Sequence, residues 1–338
     1  MWILHFILLG KPKKHPYPTN QCSFQLFEKM SAAATSLTVG YIGLGLMGKS
    51  IARNILKAGF PLFVFNRSRP AMDELAAEGA KLGSSPADVA QQVDVLFTNL
   101  PDSPDVLEVL FGRNGAASTL RQGSVFVDNS TIKPSAAQEI YRRLGEQRVS
   151  ALDAPVSGGD IGARNGTLSI MVGGDADALE RVRPVLMAMG KSVTHVGPGG
   201  AGQVAKAANQ IMVAAQMVAM GELLVFSQKC GVDPERVVNA IKGGAAQCWT
   251  LDVKPQRLFA GNREPGFKAC MQSKDLGIVM ETAREFGAPL PMTAVNAQLF
   301  SSMCQTGQGN KDNSAVLGVL EQLSGTHVGP APTTTPSA

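Results

Sequence analysis

The chain has 338 residues, 44% of them hydrophobic and 17% charged, which is typical of a globular protein with two domains. The net charge is only +4 and the Lys and Arg residues are scattered, which argues against nucleic acid as a partner. The five cysteines include no C-x-x-C pair, so we expect no zinc cage and no metal, and unpaired thiols in a reducing compartment.

The first 36 residues differ in character from the rest of the chain. Their apolar run, Trp2–Leu9, is far shorter than the ~20 residues that a membrane span needs, and lysines follow it, whereas in a signal peptide they precede it. We predict a disordered leader or a start codon assigned too early, and a disordered Pro/Thr-rich tail over residues 326–338. We therefore expect a cytoplasmic protein without a membrane anchor, and leave a mitochondrial or plastid location open.

A G-x-G-x-x-G pattern follows the first predicted strand (38–42) and begins the first predicted helix (49–58). In this pattern the first glycine makes a tight turn, the second lets a pyrophosphate approach the backbone, and the third lets the helix pack closely on the strand. The free N–H groups at the helix start then hold the phosphates. The predicted dinucleotide loop comprises Gly43, Leu44, Gly45, Leu46, Met47 and Gly48.

The second predicted strand ends at Asn66-Arg67-Ser68. An NAD enzyme usually has Asp or Glu at this point to accept a hydrogen bond from the ribose 2′-hydroxyl, and an arginine accommodates the 2′-phosphate of NADP. Here Arg67 offers a cation, with Asn66 and Ser68 as neutral donors. The sequence predicts NADP as the preferred cofactor, with NAD as a possible substitute.

Short apolar strands alternate with helices over residues 37–198, which predicts a mostly parallel sheet covered on both faces. The predicted strands are Thr38–Ile42, Leu62–Asn66, Val93–Thr98, Ser124–Asp128, Val149–Asp153, Leu168–Val172 and Val193–Val196. The other predicted helices of this region are Pro70–Glu78, Pro86–Gln92, Ser103–Phe111 and Pro134–Leu144. We expect a Rossmann-type α/β domain.

Beyond Gly197-Pro198-Gly199-Gly200 the pattern becomes helical, and residues 199–325 are predicted to form an all-helical domain. Its first helix spans Gln203–Lys229, about 40 Å at 1.5 Å per residue. The other predicted helices are Asp233–Lys242, Asp275–Phe286, Met292–Cys304 and Ser314–Leu323.

Lys206 lies in the first turns of the long helix, with Asn209 and Gln210 on the same face three and four positions later. An ammonium group on an apolar helix surface is costly to bury without a purpose. Three of the four histidines lie in the tails, which argues against a histidine acid/base. We therefore predict that Lys206 donates a proton to the alkoxide in carbonyl reduction, and accepts it in the reverse reaction.

Two polar clusters follow strands of the α/β region, where ligands of open α/β sheets bind. Ser130 belongs to the first, Asp128–Thr131. In the second, Ser157-Gly158-Gly159 offers backbone N–H groups that suit a carboxylate.

Five motifs occur along the chain in this order: GYIGLGLMG, VDNSTIKP, DAPVSGG, GGAGQVAKAANQ and SKDL. In this order the chain resembles the β-hydroxyacid dehydrogenase family from about Val39 to Leu323. Members of that family include 3-hydroxyisobutyrate dehydrogenase, tartronate semialdehyde reductase and glyoxylate/succinic semialdehyde reductase. The resemblance implies a Rossmann domain joined to an all-helical domain, and homodimers or homotetramers whose helical domains pack together.

By resemblance, Lys206 is the catalytic lysine, Ser130 and the Ser157–Gly159 turn bind substrate, and one of Asn209 and Gln210 is the lysine's partner. Cofactor contacts are implied for Leu100, Pro101, Thr131 and Lys274. Several relatives carry Asn at both positions after the lysine, whereas here the second is Gln210, so the choice between the two amides stays open.

The implied function is a 3-hydroxyisobutyrate dehydrogenase-type enzyme that interconverts a small 3-hydroxy acid and its semialdehyde. An NADPH-dependent glyoxylate, succinic or tartronate semialdehyde reductase is the alternative. A non-catalytic nucleotide-binding module is the alternative from another class, and loss of Lys206 or of the glycines would have favoured it, but both are retained.

Overall fold

The computed structural model describes residues 37–328, so the predictions for the leader and for most of the tail lie outside the described residues. Within them, nine strands form one sheet. They are β1 (Val39–Ile42), β2 (Leu62–Phe65), β3 (Lys81–Leu82), β4 (Val95–Thr98), β5 (Val125–Asp128), β6 (Ser150–Asp153), β7 (Val156–Ser157), β8 (Leu168–Gly174) and β9 (Gly190–Gly197).

The strand order is β3-β2-β1-β4-β5-β6-β8-β7, with β9 beside β8. Strands β1 to β6 are parallel, whereas β8 runs antiparallel to β6 and β7, and parallel to β9. The order reverses beside β1, because both β2 and β4 flank it. The loops after β1 and β4 therefore separate and leave a crevice at the carboxyl edge of the sheet, where this class of fold binds ligands.

Seven helices accompany the sheet: α1 (Gly48–Lys57), α2 (Pro70–Ala77), α3 (Pro86–Ala90), α4 (Ser103–Phe111), α5 (Pro134–Glu146), α6 (Gly159–Asn165) and α7 (Ala176–Met189). Proline begins α2, α3 and α5, where its missing N–H removes no helical hydrogen bond. One face of the sheet packs on apolar residues of α1 and α7, such as Ile51 and Val182. The other packs on α3, α4 and α5, through residues such as Val106 and Ile140.

The remaining helices are α8 (Ala201–Lys229), α9 (Pro234–Ile241), α10 (Trp249–Val253), α11 (Pro255–Phe259), α12 (Ala269–Glu285), α13 (Pro291–Gln305) and α14 (Leu317–Ser324). Their core surrounds α8, where Met217 and Leu224 pack with Leu276, Phe300 and Leu317 from the later helices. Among residues 37–328, α8 is the helix whose length and mean hydropathy of 1.5 would allow it to cross a membrane. Here it is the central helix of a packed bundle.

The predicted fold class is confirmed: a Rossmann-type α/β sheet followed by a helical region. Most predicted elements match the observed ones to within a few residues, and α4 matches at both ends. The missed elements are β3, β7, α6, α7, α10 and α11. The missed strands have two residues each, too few to show a period. Pro184 lies inside α7 and reads as a helix breaker in the sequence.

Candidate active site

The glycine loop lies between β1 and α1, and its three glycines face different surroundings. Gly43 has a φ of +97°, and a Cβ there would lie 2.2 Å from the carbonyl oxygen of Asn99. A Cβ on Gly48 would lie 2.0 Å from the carbonyl oxygen of Gly43. A Cβ on Gly45 would meet nothing within 4 Å. The protein's own packing therefore requires glycine at positions 43 and 48. Gly45 faces open space, and its lack of a side chain lets a ligand approach the backbone there.

The start of α1 suits an anionic ligand. Helices α2, α3 and α4 each carry an Asp in the first turn, but α1 has no acidic residue there and no side chain caps its N–H groups. These uncapped donors and the positive end of the helix dipole together favour a phosphate. The loop thus fits the pyrophosphate of a dinucleotide.

The end of β2 lies beside this loop. Asn66 accepts a hydrogen bond from the backbone N–H of Leu44 (3.0 Å) and donates to the hydroxyl of Ser68 (2.9 Å). Its amide therefore braces the glycine loop, while the contact with the cofactor ribose expected from the sequence stays a prediction. Arg67 is exposed, and within residues 37–328 no hydrogen bond or ion pair of its guanidinium is found. Its side chain is available for a ligand.

Ser130 is buried where β4 and β5 end. Its Oγ accepts the backbone N–H of Leu100 (2.8 Å) and donates to Oδ1 of Asp128 (2.5 Å). Thr98 donates to the same oxygen (2.7 Å). Burial raises the pKa of Asp128, and the donors from Ser130 and Thr98 oppose this. A substrate carboxylate can only accept hydrogen bonds, so Ser130 would have to turn its proton away from Asp128 to bind one.

The Ser157–Gly159 turn connects β7 to α6. Gly158 and Gly159 both have positive φ, +138° and +63°, a conformation that favours glycine. The helical region approaches this turn closely, since a Cβ on Gly159 would lie 3.8 Å from the carbonyl oxygen of Gly266. The turn therefore lies at the boundary between the two regions.

Lys206 projects from α8 towards the sheet and is only 6% exposed. Its Nζ donates to the carbonyl oxygen of Val156 on β7 (2.8 Å). Burial lowers the pKa of Lys206 to about 8, with Asp275 opposing the shift and Lys274 adding to it. An amine with this pKa can hold or release a proton near neutral pH.

Helix α12 brings a second lysine to the same place. Nζ of Lys274 donates to the carbonyl oxygen of Thr131 (2.6 Å) and pairs with Oδ1 of Asp275 (2.8 Å). The other Asp275 oxygen accepts from Nε2 of Gln210 (2.6 Å). Oδ1 of Asn209 is buried and finds no protein partner among the described residues. Of the two amides after Lys206, Gln210 is thus held by Asp275 and Asn209 keeps a free acceptor.

The structure brings Lys206 and Lys274 to the loops of the Ser157–Gly159 turn and of Ser130, and Gln210 contacts Asp275 beside Lys274. Arg67 and Ser68 lie apart from them, at the end of β2. Leu100 lies against Ser130, with Pro101 next to it.

Sequence reasoning missed Gln203, which is 1% exposed and whose amide bonds the backbone of Ser130 and Ile132. A glutamine in a helical pattern carries no signal of such a role.

Comparison with known proteins follows the same division of the chain. Residues 38–197 match the family described as the NAD binding domain of 6-phosphogluconate dehydrogenase. Residues 200–320 match the one described as the NAD-binding region of NADP-dependent 3-hydroxyisobutyrate dehydrogenase. The chain belongs to the β-hydroxyacid dehydrogenase family. It is therefore an oxidoreductase that uses a nicotinamide cofactor, as predicted.

Individual members of the family align over most of their length. The 2-hydroxy-3-oxopropionate reductase of Escherichia coli is 41% identical, over 85% of this chain and 98% of its own. A protein of Arabidopsis thaliana named as a probable mitochondrial 3-hydroxyisobutyrate dehydrogenase-like protein is 38% identical, over 94% and 97%. The 3-hydroxyisobutyrate dehydrogenase of Mycobacterium tuberculosis, solved with L-serine, superposes with a TM-score of 0.78 at 31% identity, over 84% and 99%.

Proposed function

We propose that this β-hydroxyacid dehydrogenase interconverts a short 3-hydroxy acid and its semialdehyde, with Lys206 as the acid/base and NADPH as the preferred cofactor. The observation that carries the proposal is the buried amine of Lys206, held against the sheet edge by a single backbone carbonyl. A bound nicotinamide supplies or accepts the hydride. Lys206 supplies the proton to the oxygen in reduction and removes it in oxidation.

Asn209 is the better candidate for the lysine's partner. Its Oδ1 is a buried acceptor without a protein partner among the described residues, and such a group is costly unless a ligand or a water molecule satisfies it. A substrate hydroxyl can donate to this oxygen. The amide of Gln210 already donates to Asp275, so we assign Gln210 to holding that carboxylate.

The substrate carboxylate is assigned to the Ser157–Gly159 turn, whose backbone N–H groups suit an anion, and to Ser130. Lys274 reaches the loop of Thr131 from the helical region and is assigned to the cofactor. Leu100 and Pro101 are assigned to the nicotinamide side of the crevice, because they follow β4 at the point where the strand order reverses.

The names of the relatives define a chemical class. 3-Hydroxyisobutyrate, L-serine and the reduction product of 2-hydroxy-3-oxopropionate all carry a carboxylate on C1 and a hydroxyl on C3. They differ in the substituent on C2, which is methyl, amino or hydroxyl. We keep the C2-methyl compound as the first candidate. The C2-hydroxyl compound is the second, favoured by the 41% identity to the E. coli reductase and by Arg67.

The preference for NADPH rests on Arg67, whose exposed guanidinium follows β2 without a protein partner among the described residues. An arginine at this point of the fold suits a 2′-phosphate. Ser68 stands beside it and can add a neutral hydrogen bond. NADH is expected to bind more weakly, since it lacks the phosphate.

We also propose a homodimer or homotetramer formed through the helical region. Met212 and Phe226 of α8 are 57% and 69% exposed, and Met292 and Val295 of α13 are 69% and 62% exposed. These exposed apolar side chains on two helices that pack together support a contact surface in the helical region. Light scattering coupled to size exclusion tests this, and a monomer at micromolar concentration would contradict it.

We further propose a cytoplasmic location, which microscopy of a full-length fusion tests.

The function is tested with a panel of C3-hydroxy acids that vary only at C2, together with their semialdehydes, each assayed with NADPH and NADH. The expected result is the highest kcat/KM for one short C2-substituted compound with NADPH. A matched control is the 2-hydroxy acid of the same size, which should be inactive because its hydroxyl lies one carbon nearer to the carboxylate. Activity on the control but on none of the 3-hydroxy acids would overturn the proposal.

A further inference from the structure

Helix α8 begins without a side-chain cap of its own. Its N-cap residue is Gly200, with a φ of +93°. A carboxylate from the sheet replaces the missing cap: Oδ1 of Asp153, at the end of β6, accepts the N–H of Gly200, and Oδ2 accepts the N–H of Gln203, both at 2.8 Å. One side chain thus satisfies two backbone N–H groups at a helix start, where such groups lack partners within the helix.

The packing around this carboxylate leaves no room for a side chain at two neighbouring glycines. A Cβ on Gly202 would lie 2.5 Å from the backbone oxygen of Asp153 and 2.6 Å from that of Met171. A Cβ on Gly173 would lie 2.4 Å from Oδ1 of Asp153. The first turn of α8 therefore rests directly on the backbone of β6 and β8.

Gln203 extends the contact to the loop of Ser130. Its Nε2 donates to the carbonyl oxygen of Ser130 (2.8 Å), and its Oε1 accepts the N–H of Ile132 (3.1 Å). Lys206 follows three residues later on the same face of α8. Gln203 is thus hydrogen-bonded to Asp153 through its backbone and to the Ser130 loop through its side chain, about one helical turn before Lys206.

We propose that Asp153 and Gln203 are positioning residues for the reaction, which fix the first turn of α8 and thereby the distance from Lys206 to the Ser130 loop. This role rests on the function proposed for Lys206. Asp153, the first residue of the DAPVSGG segment, thus holds the helix that carries Lys206, whereas the Ser157–Gly159 turn of the same segment is assigned to the substrate.

The role has a pH dependence. Burial raises the pKa of Asp153 to about 6, the N–H groups of Gly200 and Gln203 oppose the shift, and the charge of Asp128 on β5 adds to it. From α5, Tyr141 lines the same small cavity, and on β8 Gly173 pairs with Asp153. Below pH 6 a proton on one Asp153 oxygen removes an acceptor from the helix start. Turnover in the direction of reduction, which uses the protonated Lys206, should therefore fall as the pH decreases through about 6.

The test is Asp153→Asn, whose amide turns an NH₂ group towards one of the two backbone donors. We expect turnover at pH 7.5 to fall about 100-fold, the effect of a displacement of about 1 Å in an active site. The KM for NADPH should change little, and the acid limb near pH 6 should disappear. In the free protein, hydrogen exchange of peptides covering 199–206 should accelerate.

The matched control is Asp175→Ala, which removes the cap that Asp175 provides to Ala178 at the start of α7 (2.9 Å). This variant should lose stability but keep wild-type turnover and the acid limb. If Asp153→Asn does not fold, Gln203→Leu should lower turnover while retaining the limb. Wild-type turnover in a folded Asp153→Asn with accelerated exchange would overturn the positioning role. An active Lys206→Met would instead overturn the function proposed for the lysine. Hydrogen exchange is measured without substrate, so it tests the contact of Asp153 with α8 independently of that function.

Discussion

The two regions of this dehydrogenase contribute to the candidate site by different physical means. The α/β region contributes mainly backbone: uncapped N–H groups at α1, three glycines and a positive-φ turn. The helical region contributes ionisable side chains, Lys206, Lys274 and Asp275, which are buried or nearly so. Backbone donors depend on local conformation, so they can be inferred from short motifs. A buried amine acquires its chemistry from its neighbours, so its properties depend on how the two regions meet.

The largest expected effect comes from the helical region. Lys206→Met should reduce turnover by about 10²–10⁴-fold, the usual contribution of a positioned acid/base, while NADPH binding stays near normal. Steady-state kinetics and a fluorescence titration of NADPH measure the two quantities. Retention of more than a tenth of the wild-type turnover would show that the lysine is not the acid/base.

The α/β region is tested by Arg67→Ala. Loss of a hydrogen bond to a charged group should weaken NADPH binding by about 1.5–3 kcal/mol, roughly 10- to 150-fold, and leave NADH almost unchanged. The matched control is Arg69→Ala, since Arg69 lies two residues further on and is already paired with Asp73 (2.7 Å). Equal losses for both cofactors would mean that Arg67 has a structural role.

Lys274→Ala tests whether the two lysines have separate tasks. Because Lys274 is assigned to the cofactor, the variant should raise the apparent KM for NADPH more than it lowers turnover at saturation, as expected when ground-state binding is lost. An unchanged KM with a turnover defect as large as that of Lys206→Met would reverse the two assignments.

The buried lysine also affects stability. Burial lowers the pKa of Lys206 from its ordinary value of 10.5 to about 8, so the unfolded chain binds the proton more tightly than the folded protein does. The resulting cost, about 3 kcal/mol, applies in full below pH 8 and disappears as the pH rises towards 10.5. Lys206→Met should therefore melt a few degrees higher than the wild type at pH 7, with a smaller difference near pH 10. Calorimetry of both proteins at both pH values measures the difference. A melting temperature of Lys206→Met below that of the wild type at pH 7 would contradict a cost of burying the charged lysine.

The same amine predicts opposite pH profiles for the two directions of the reaction. Reduction needs the protonated lysine, so its rate should fall as the pH rises through about 8, whereas oxidation needs the neutral amine and should become faster. Initial rates in both directions between pH 6 and 10 measure this. Profiles that move together would show that another group transfers the proton.

Much of the fold was predictable because its signals are local. Apolar periods marked α8 and the first strands, and the glycine spacing marked the turn into α1, since each depends on residues within a few positions of one another. The elements that escaped were β3 and β7, which are too short to show a period, and α7, which contains Pro184.

The sequence by itself determined the α/β and helical regions, and it predicted the dinucleotide loop and Lys206 as the reactive amine. Only the tertiary structure decided that Gln210 belongs to Asp275, that Asn66 braces the glycine loop, and that Asp153 caps a helix beginning about fifty residues later. These contacts join residues far apart in the chain, and a polar side chain in the sequence does not reveal which distant donor it will meet. The pKa of Lys206 depends on the same packing, because burial is the main cause of its shift.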